Sequence, residues 1–197
     1  GDDWRVMRET PFDEIGAALE PRLGTRTEFL PSKWEKVGEV LILRLAPELR
    51  EDQKVICQEY ASVLGCKAVL EDVGGISGQH RVPRVRKLWG VEATTTTHHE
   101  NGVRYRLDPG QVMFSSGNMA ERIRMGQVVR PRETVVDLFA GIGYFTLPIA
   151  VHGRPARVYA CEINPVAYRF LCQNLVLNHV TDVVVPLLGD NRVVAPR

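Results

Sequence analysis

The sequence predicts an α/β chain in which a small α+β unit, residues 1–92, precedes a parallel sheet with crossover helices from about residue 118. Three observations carry that reading. Apolar, β-branched runs at 134–140, 156–163 and 182–190 are unbroken by polar alternation, as expected of strands covered on both faces. Two segments with apolar residues at helical spacing lie between them. Strand, helix, strand, helix, strand in that order builds a parallel sheet through right-handed crossovers, which is a Rossmann-like arrangement.

Within the first part, Lys36–Leu45 is a β-rich run. Glu48–Cys66 has helical spacing, and Gly65 suits its C-terminal cap because glycine accepts a left-handed backbone. Lys67–Val73 reads as a strand, and the glycine-rich, basic stretch 74–90 as a loop. Thr94–Asp108 holds two β-prone runs around Asn101-Gly102, a pair suited to a two-residue hairpin turn. That hairpin, within residues 93–117, is expected to link the two parts. Beyond it, 117–129 is helical until Arg130-Pro131 ends it, 144–153 is a helix stopped at Gly153, and 164–180 is a helix with Pro165 in its first turn. The sheet is expected to be incomplete in this chain, since three strands are fewer than such a fold uses.

Composition narrows the partners less than the motifs do. The formal net charge of +1 gives no global attraction for polyanions, so any nucleic-acid contact must come from local basic patches. No apolar run reaches the roughly 18 residues of a membrane span, and Gly1-Asp2-Asp3 does not begin a signal peptide. The expectation is a cytoplasmic monomer without membrane contact. Cys57, Cys66, Cys161 and Cys172 show no C-x-x-C or zinc spacing and read as reduced core thiols. His98 and His99 are adjacent, so a strand points them to opposite faces, and no metal is expected.

Ligands of such sheets sit outside the carboxyl ends of the strands. Acids occupy all three ends: Asp137, Glu162 and Asp190. After the first, Phe139, Gly141 and Gly143 form a tight G-x-G turn that lets the backbone approach a ligand. A dinucleotide fingerprint would place a third glycine where Thr146 stands, and Asp137 would repel a pyrophosphate. Asp137 suits an ammonium group, Glu162 a pair of ribose hydroxyls, and Asp190 with Asn191 an adenine amino group. An amino acid, a ribose and an adenine joined together make S-adenosylmethionine. The competing reading is that these acids only cap helices.

Taken together, DLFAGIGYFTLP (137–148), ACEINPVA (160–167), NLVLNHV (174–180) and GDNR (189–192) resemble the class I S-adenosylmethionine-dependent transferases that modify the purine 3′ of the tRNA anticodon. One branch of that group methylates a guanosine ring nitrogen. The other, in wybutosine synthesis, transfers the 3-amino-3-carboxypropyl group. SKWEKVGEVLILRL (32–45) and MFSSGNMAERIRM (113–125) are similar to the second branch, and Ser115-Ser116-Gly117-Asn118 departs from the S-x-R-L pattern of the first.

The resemblance implies that Ser115 and Arg122 contact the cofactor, with Arg122 gripping the methionine carboxylate, and that Glu162, Asp190 and Asn191 hold ribose and adenine. It implies the tricyclic precursor 4-demethylwyosine at position 37 of tRNA(Phe) as acceptor and methylthioadenosine as product. Glu121 aligns with the general base of the methyl branch; the alternatives are an exposed acid paired with a nearby arginine for Glu121, a solvated residue for Arg122 and a helix N-cap for Ser115. RNA contact is expected from Arg81, Arg84, Arg86 and Lys87, and from Arg104 and Arg106, which share a strand face, with Trp89 and Tyr105 available to stack on bases; the alternative for each is a solvated face with buried aromatics. The reading from another class is a non-catalytic RNA-binding module.

Overall fold

The computed structural model describes residues 9–77 and 82–196, and its contacts group the chain into two units: 1–73 with 85–92, and 74–84 with 93–197. In the first unit, helix α1 (Pro11–Leu23) starts from a reciprocal cap. The Thr10 hydroxyl accepts the Asp13 N–H at 3.1 Å, and the Asp13 carboxylate accepts the Thr10 N–H at 3.0 Å. Strands β1 (Glu35–Val37) and β2 (Val40–Leu43) pair antiparallel, so the β-rich run folds back on itself at Gly38, φ 54°. Helix α2 (Gln53–Leu64) follows a 3-10 turn and ends at Gly65, φ 69°.

Strand β3 (Ala68–Ser77) runs parallel to β2, and β4 (Val82–Gly90) is its other neighbour. The stretch expected as a basic loop is therefore mostly strand, because the β-branched and apolar residues Val82, Val85 and Leu88 outweigh the flanking glycines. The core of this unit joins Ile15 and Leu19 of α1, Leu41 and Leu43 of β2, and Ile56 and Tyr60 of α2.

The second unit opens with the hairpin of β5 (Thr96–Glu100) and β6 (Val103–Leu107), turned by Asn101 (φ 49°) and Gly102 (φ 74°). Then come α3 (Met119–Val128), β7 (Thr134–Asp137), α4 (Thr146–His152), β8 (Arg157–Glu162), α5 (Pro165–Leu177), β9 (Val184–Leu188) and the short α6 (Asn191–Val194). The sheet order β7-β8-β9 is parallel throughout. Helix α5 begins at Asn164, whose side chain accepts the N–H groups of Val166 and Ala167.

The hairpin is part of this unit rather than a linker, and two asparagines, one in α5 and one at its C-terminal cap, explain why. They are one helical turn apart and act as a short artificial strand. The Asn178 amide accepts the Arg104 N–H at 2.9 Å and donates to the Arg104 carbonyl at 2.7 Å. The Asn174 amide accepts the Arg106 N–H at 2.7 Å, and donates to the Arg106 carbonyl at 3.1 Å and the Ile142 carbonyl at 2.9 Å. The edge of β6 is satisfied by side chains where a sheet would use backbone.

Asn174 is fully buried and Asn178 is partly exposed, so their losses should differ. Asn174→Ala is expected to lower stability by about 2–4 kcal/mol in urea denaturation, because three backbone groups lose a buried partner. Asn178→Ala should cost about 1 kcal/mol or less, since water can replace the amide. Asn174→Asp should do no better than alanine, having turned two donated bonds into contacts between oxygens. Equal costs at the two positions would disprove this account of the β6 edge.

Candidate functional site

The tip of β7 leads into a tight turn built on glycine. Gly141 (φ 58°) and Gly143 (φ 109°) have left-handed backbones, and a Cβ would fall 2.4 Å from the Tyr144 ring at the first and 2.7 Å from Leu147 at the second. This close turn delivers the Gly141 N–H to Glu162 Oε1 at 2.8 Å. The Asn164 N–H reaches Glu162 Oε2 at 2.7 Å. One carboxylate thus joins the loop after β7 to the start of α5, and each of its oxygens keeps a second lone pair.

A cavity of about 870 Å³ opens there, within the size range of small-molecule sites. Phe139, Gly141, Glu162, Asp190 and Asn191 line it on the strand-tip side, and Ser115 and Arg122 line it from the segment that leads into α3. Seven of the nine residues expected to bind the cofactor therefore share one cavity. Phe139 is 77% exposed and Ile163 40%, which gives the cavity two apolar surfaces beside its carboxylates. Asp190 caps α6 through the Arg192 N–H and pairs with the Arg192 side chain, whose bonds bring its carboxyl down to about 2. The Asn191 amide donates to the Leu138 carbonyl at 3.1 Å.

Two of the nine fall outside the cavity lining. Asp137 accepts the Thr146 hydroxyl at 2.7 Å and the Phe139 N–H at 3.2 Å, and burial raises its carboxyl pKa. Its two oxygens hold the turn, and it lies behind the cavity lining rather than in it. Gly143 serves packing against Leu147.

The expected catalytic pair also differs from its sequence reading. Glu121 is 47% exposed at its side chain, lies outside the cavity lining, and pairs with Arg124 at 2.5 Å, which holds its carboxyl below the ordinary range. The geometry of an acid paired on the solvent face does not suit a general base. Arg122 is only 3% exposed, so it is no solvated helix residue. Its Nε and Nη2 donate to the two oxygens of Glu100 at 2.6 and 2.8 Å, its Nη1 to the Ser115 carbonyl at 2.9 Å, and the Phe114 ring lies 4.3 Å from its Cζ. The guanidinium expected to grip a ligand carboxylate already holds Glu100 with its Nε and Nη2. Ser115 stands at the N-cap of a 3-10 turn without a side-chain cap bond.

Glu100, Phe114 and Tyr144 are the residues that sequence reasoning missed. The available signal was the alternation of Thr96, His98 and Glu100, which puts an acid on the inward face of the hairpin, where it needs a hydrogen-bonding or charged partner.

The basic residues divide. Arg81 lies outside the described residues. Arg84 is exposed on β4, as are Arg104 and Arg106 on β6. Arg86 and Arg50 bind the buried Glu71; burial pushes that carboxyl up, and these two arginines with the Leu45 N–H bring it below its ordinary value. Arg86 is thus a counter-ion of the first unit's core, and Lys87 is paired with Glu92 at 2.7 Å. Trp89 is partly buried against the first core, and Tyr105 is buried with its hydroxyl donating to the Tyr144 carbonyl at 3.3 Å, so Tyr105 presents no ring for a base. Among the described residues, no group of three or more His, Cys, Asp or Glu could hold a metal ion, and no helix is long and apolar enough to cross a membrane.

Comparison with known proteins matches these elements in order. The sequence model of the TYW2 N-terminal domain covers residues 17–94, and that of the TRM5/TYW2 methyltransferase domain covers 96–197. The tRNA(Phe) (4-demethylwyosine(37)-C(7)) aminocarboxypropyltransferase of Pyrococcus horikoshii is 46% identical over 165 residues, which is 84% of this chain and 58% of that protein. The crystal structure of P. horikoshii TYW2 in complex with MeSAdo superposes with a TM-score of 0.80 at 40% identity, covering 92% of this chain and 65% of that one. The complex of aTrm5 and tRNALeu gives 0.81 at 30% identity, covering 98% and 57%. The chain spans about three fifths of the length of the curated relatives it matches, 58% and 61% of the two archaeal aminocarboxypropyltransferases. By its sequence, its Rossmann-like sheet and the order of its parts, the chain belongs to the TRM5/TYW2 methyltransferase-domain family.

Proposed function

We propose that this chain forms the donor-binding part of an enzyme that transfers the 3-amino-3-carboxypropyl group of S-adenosylmethionine to 4-demethylwyosine at position 37 of tRNA(Phe). The observation that carries the proposal is the anchored carboxylate of Glu162 at the mouth of a cavity with chemically different walls. Two backbone N–H groups fix that carboxylate, so it meets the two hydroxyls of a ribose without rearranging. Ile163 and Phe139 offer apolar surface for an adenine, and the Asn191 amide oxygen accepts from its amino group. On the other wall, Arg122 and Ser115 donate to a carboxylate. A relative bound to MeSAdo, and others named for aminocarboxypropyl transfer, support the same assignment.

S-adenosylmethionine supplies an electrophilic methylene next to sulfur: when the base attacks that carbon, the C–S bond breaks and its electron pair leaves with methylthioadenosine. The residues of this chain act by placement, since the carbon held in line with the nucleophile is the one transferred. Exposed cations at Arg84, Arg104 and Arg106 suit phosphate contacts with the anticodon stem-loop, bound by a monomer. Methyl transfer to guanosine 37 would use the same cavity, and similarity to aTrm5 favours it. Its expected base, Glu121, is paired with Arg124 outside the cavity lining, which favours aminocarboxypropyl transfer.

Glu162→Ala should weaken S-adenosylmethionine binding by about 1–3 kcal/mol in calorimetry, the cost of unpairing buried polar groups. Tight binding of a nicotinamide dinucleotide instead would sink the donor assignment. Charge reversal at Arg84 or Arg106 should lower tRNA affinity for every sequence and flatten its salt dependence; unchanged binding would make these residues a solvated face. The reaction itself is tested with full-length protein, tRNA carrying 4-demethylwyosine, and S-adenosylmethionine labelled in the carboxyl carbon or in the methyl. Carboxyl label is expected in the RNA and methyl label in methylthioadenosine. Methyl label in RNA carrying plain guanosine would assign the chain to the methyl branch, and tRNA binding without either transfer would make it an RNA-binding module.

A further inference from the structure

We infer that Glu100 is a positioning residue for the donor's amino-acid tail: by clamping Arg122 it fixes where the remaining guanidinium N–H groups point and cancels the charge of that cavity wall. The inference rests on the donor reading of the cavity given above.

Glu100 is the last residue of β5 and is 7% exposed. It lies outside the cavity lining, whereas Arg122 is part of it, so Glu100 can act on a ligand only through its partner. A guanidinium carries five N–H groups in one plane. Glu100 takes the Nε–H and one N–H of Nη2, and the Ser115 carbonyl takes one of Nη1. Phe114 covers the face of the plane. With edge and face both held, rotation is blocked, and each terminal nitrogen keeps one N–H. Two donors held in place on one guanidinium can give a carboxylate a two-point grip.

The sign of the charge matters as much as the geometry. S-adenosylmethionine has a sulfonium cation and a zwitterionic tail, so its net charge is positive. A lone buried arginine would oppose the sulfonium, and more strongly in a cavity than in water because the effective dielectric is lower. Paired with Glu100, Arg122 donates hydrogen bonds from a wall that is neutral overall. His98 lies 3.7 Å from Glu100 with its ring 4.7 Å from that of Phe114, and burial lowers its pKa, which favours the neutral ring and leaves Arg122 as the cation paired with the carboxylate.

Two ligands separate positioning from simple support: S-adenosylmethionine, which has the tail, and methylthioadenosine, which lacks it. In the full-length protein, Glu100→Gln should weaken S-adenosylmethionine on the order of 10-fold by calorimetry and leave methylthioadenosine unchanged. Glu100→Asp keeps the charge but shortens the reach by one methylene, so it carries the test if the glutamine variant does not fold; it should show the same selective loss, smaller in size. Equal weakening of both ligands, or of neither, would overturn the inference and leave the pair as a support of the fold. The comparison does not depend on which carbon is transferred, so a protein found to transfer methyl groups leaves it standing. A parent protein that binds neither ligand would overturn the donor reading and this inference together.

Discussion

One side-chain amide joins the parts on which the second unit depends. Asn174 holds both backbone groups of Arg106 on β6 and the Ile142 carbonyl in the glycine turn. Helix α5, the hairpin and the loop after β7 therefore share a single buried hinge point. Asparagine suits it because it offers an acceptor and two donors on one short, planar group. Aspartate lacks the donors, and glutamine would place them a methylene too far. The turn cannot shift without losing this bond, and the cavity wall cannot shift without the turn.

Glu162 repeats the same logic at the cavity itself. A carboxylate at a strand tip is costly unless its oxygens are met, and the N–H groups of Gly141 and Asn164 meet them before any ligand arrives. The site is thus organised in advance, and its geometry is inherited from the close packing that the two left-handed glycines permit. Behind the opposite wall, the Glu100–Arg122 pair does for charge what Glu162 does for hydrogen bonds.

Much of this was legible in the sequence for local reasons. Strand tips show where an apolar run ends in an acid, so Glu162 and Asp190 could be placed without a structure. The turn at Asn101-Gly102 and the cap at Gly65 follow from backbone preference. The helix after Thr10 was equally local, but its cap uses aspartate where glutamate is the familiar partner. Long-range partners were not legible. Glu100 and Arg122 are 22 residues apart and Glu71 and Arg86 are 15 apart, and nothing in composition distinguishes a counter-ion from a free cation. The burial of Tyr105 was legible as one of two readings, since the alternation that exposes Arg104 and Arg106 puts the residue between them on the other face.

The two amide bonds to β6 also differ from the hairpin in what they cost the chain to close. The hairpin closes a loop of two residues, whereas Asn174 meets Arg106 across 68. Closing the longer loop costs about 3 kcal/mol more in chain entropy. The bonds that hold helix α5 to the hairpin must offset that cost, and the amide that does so also holds the Ile142 carbonyl of the glycine turn.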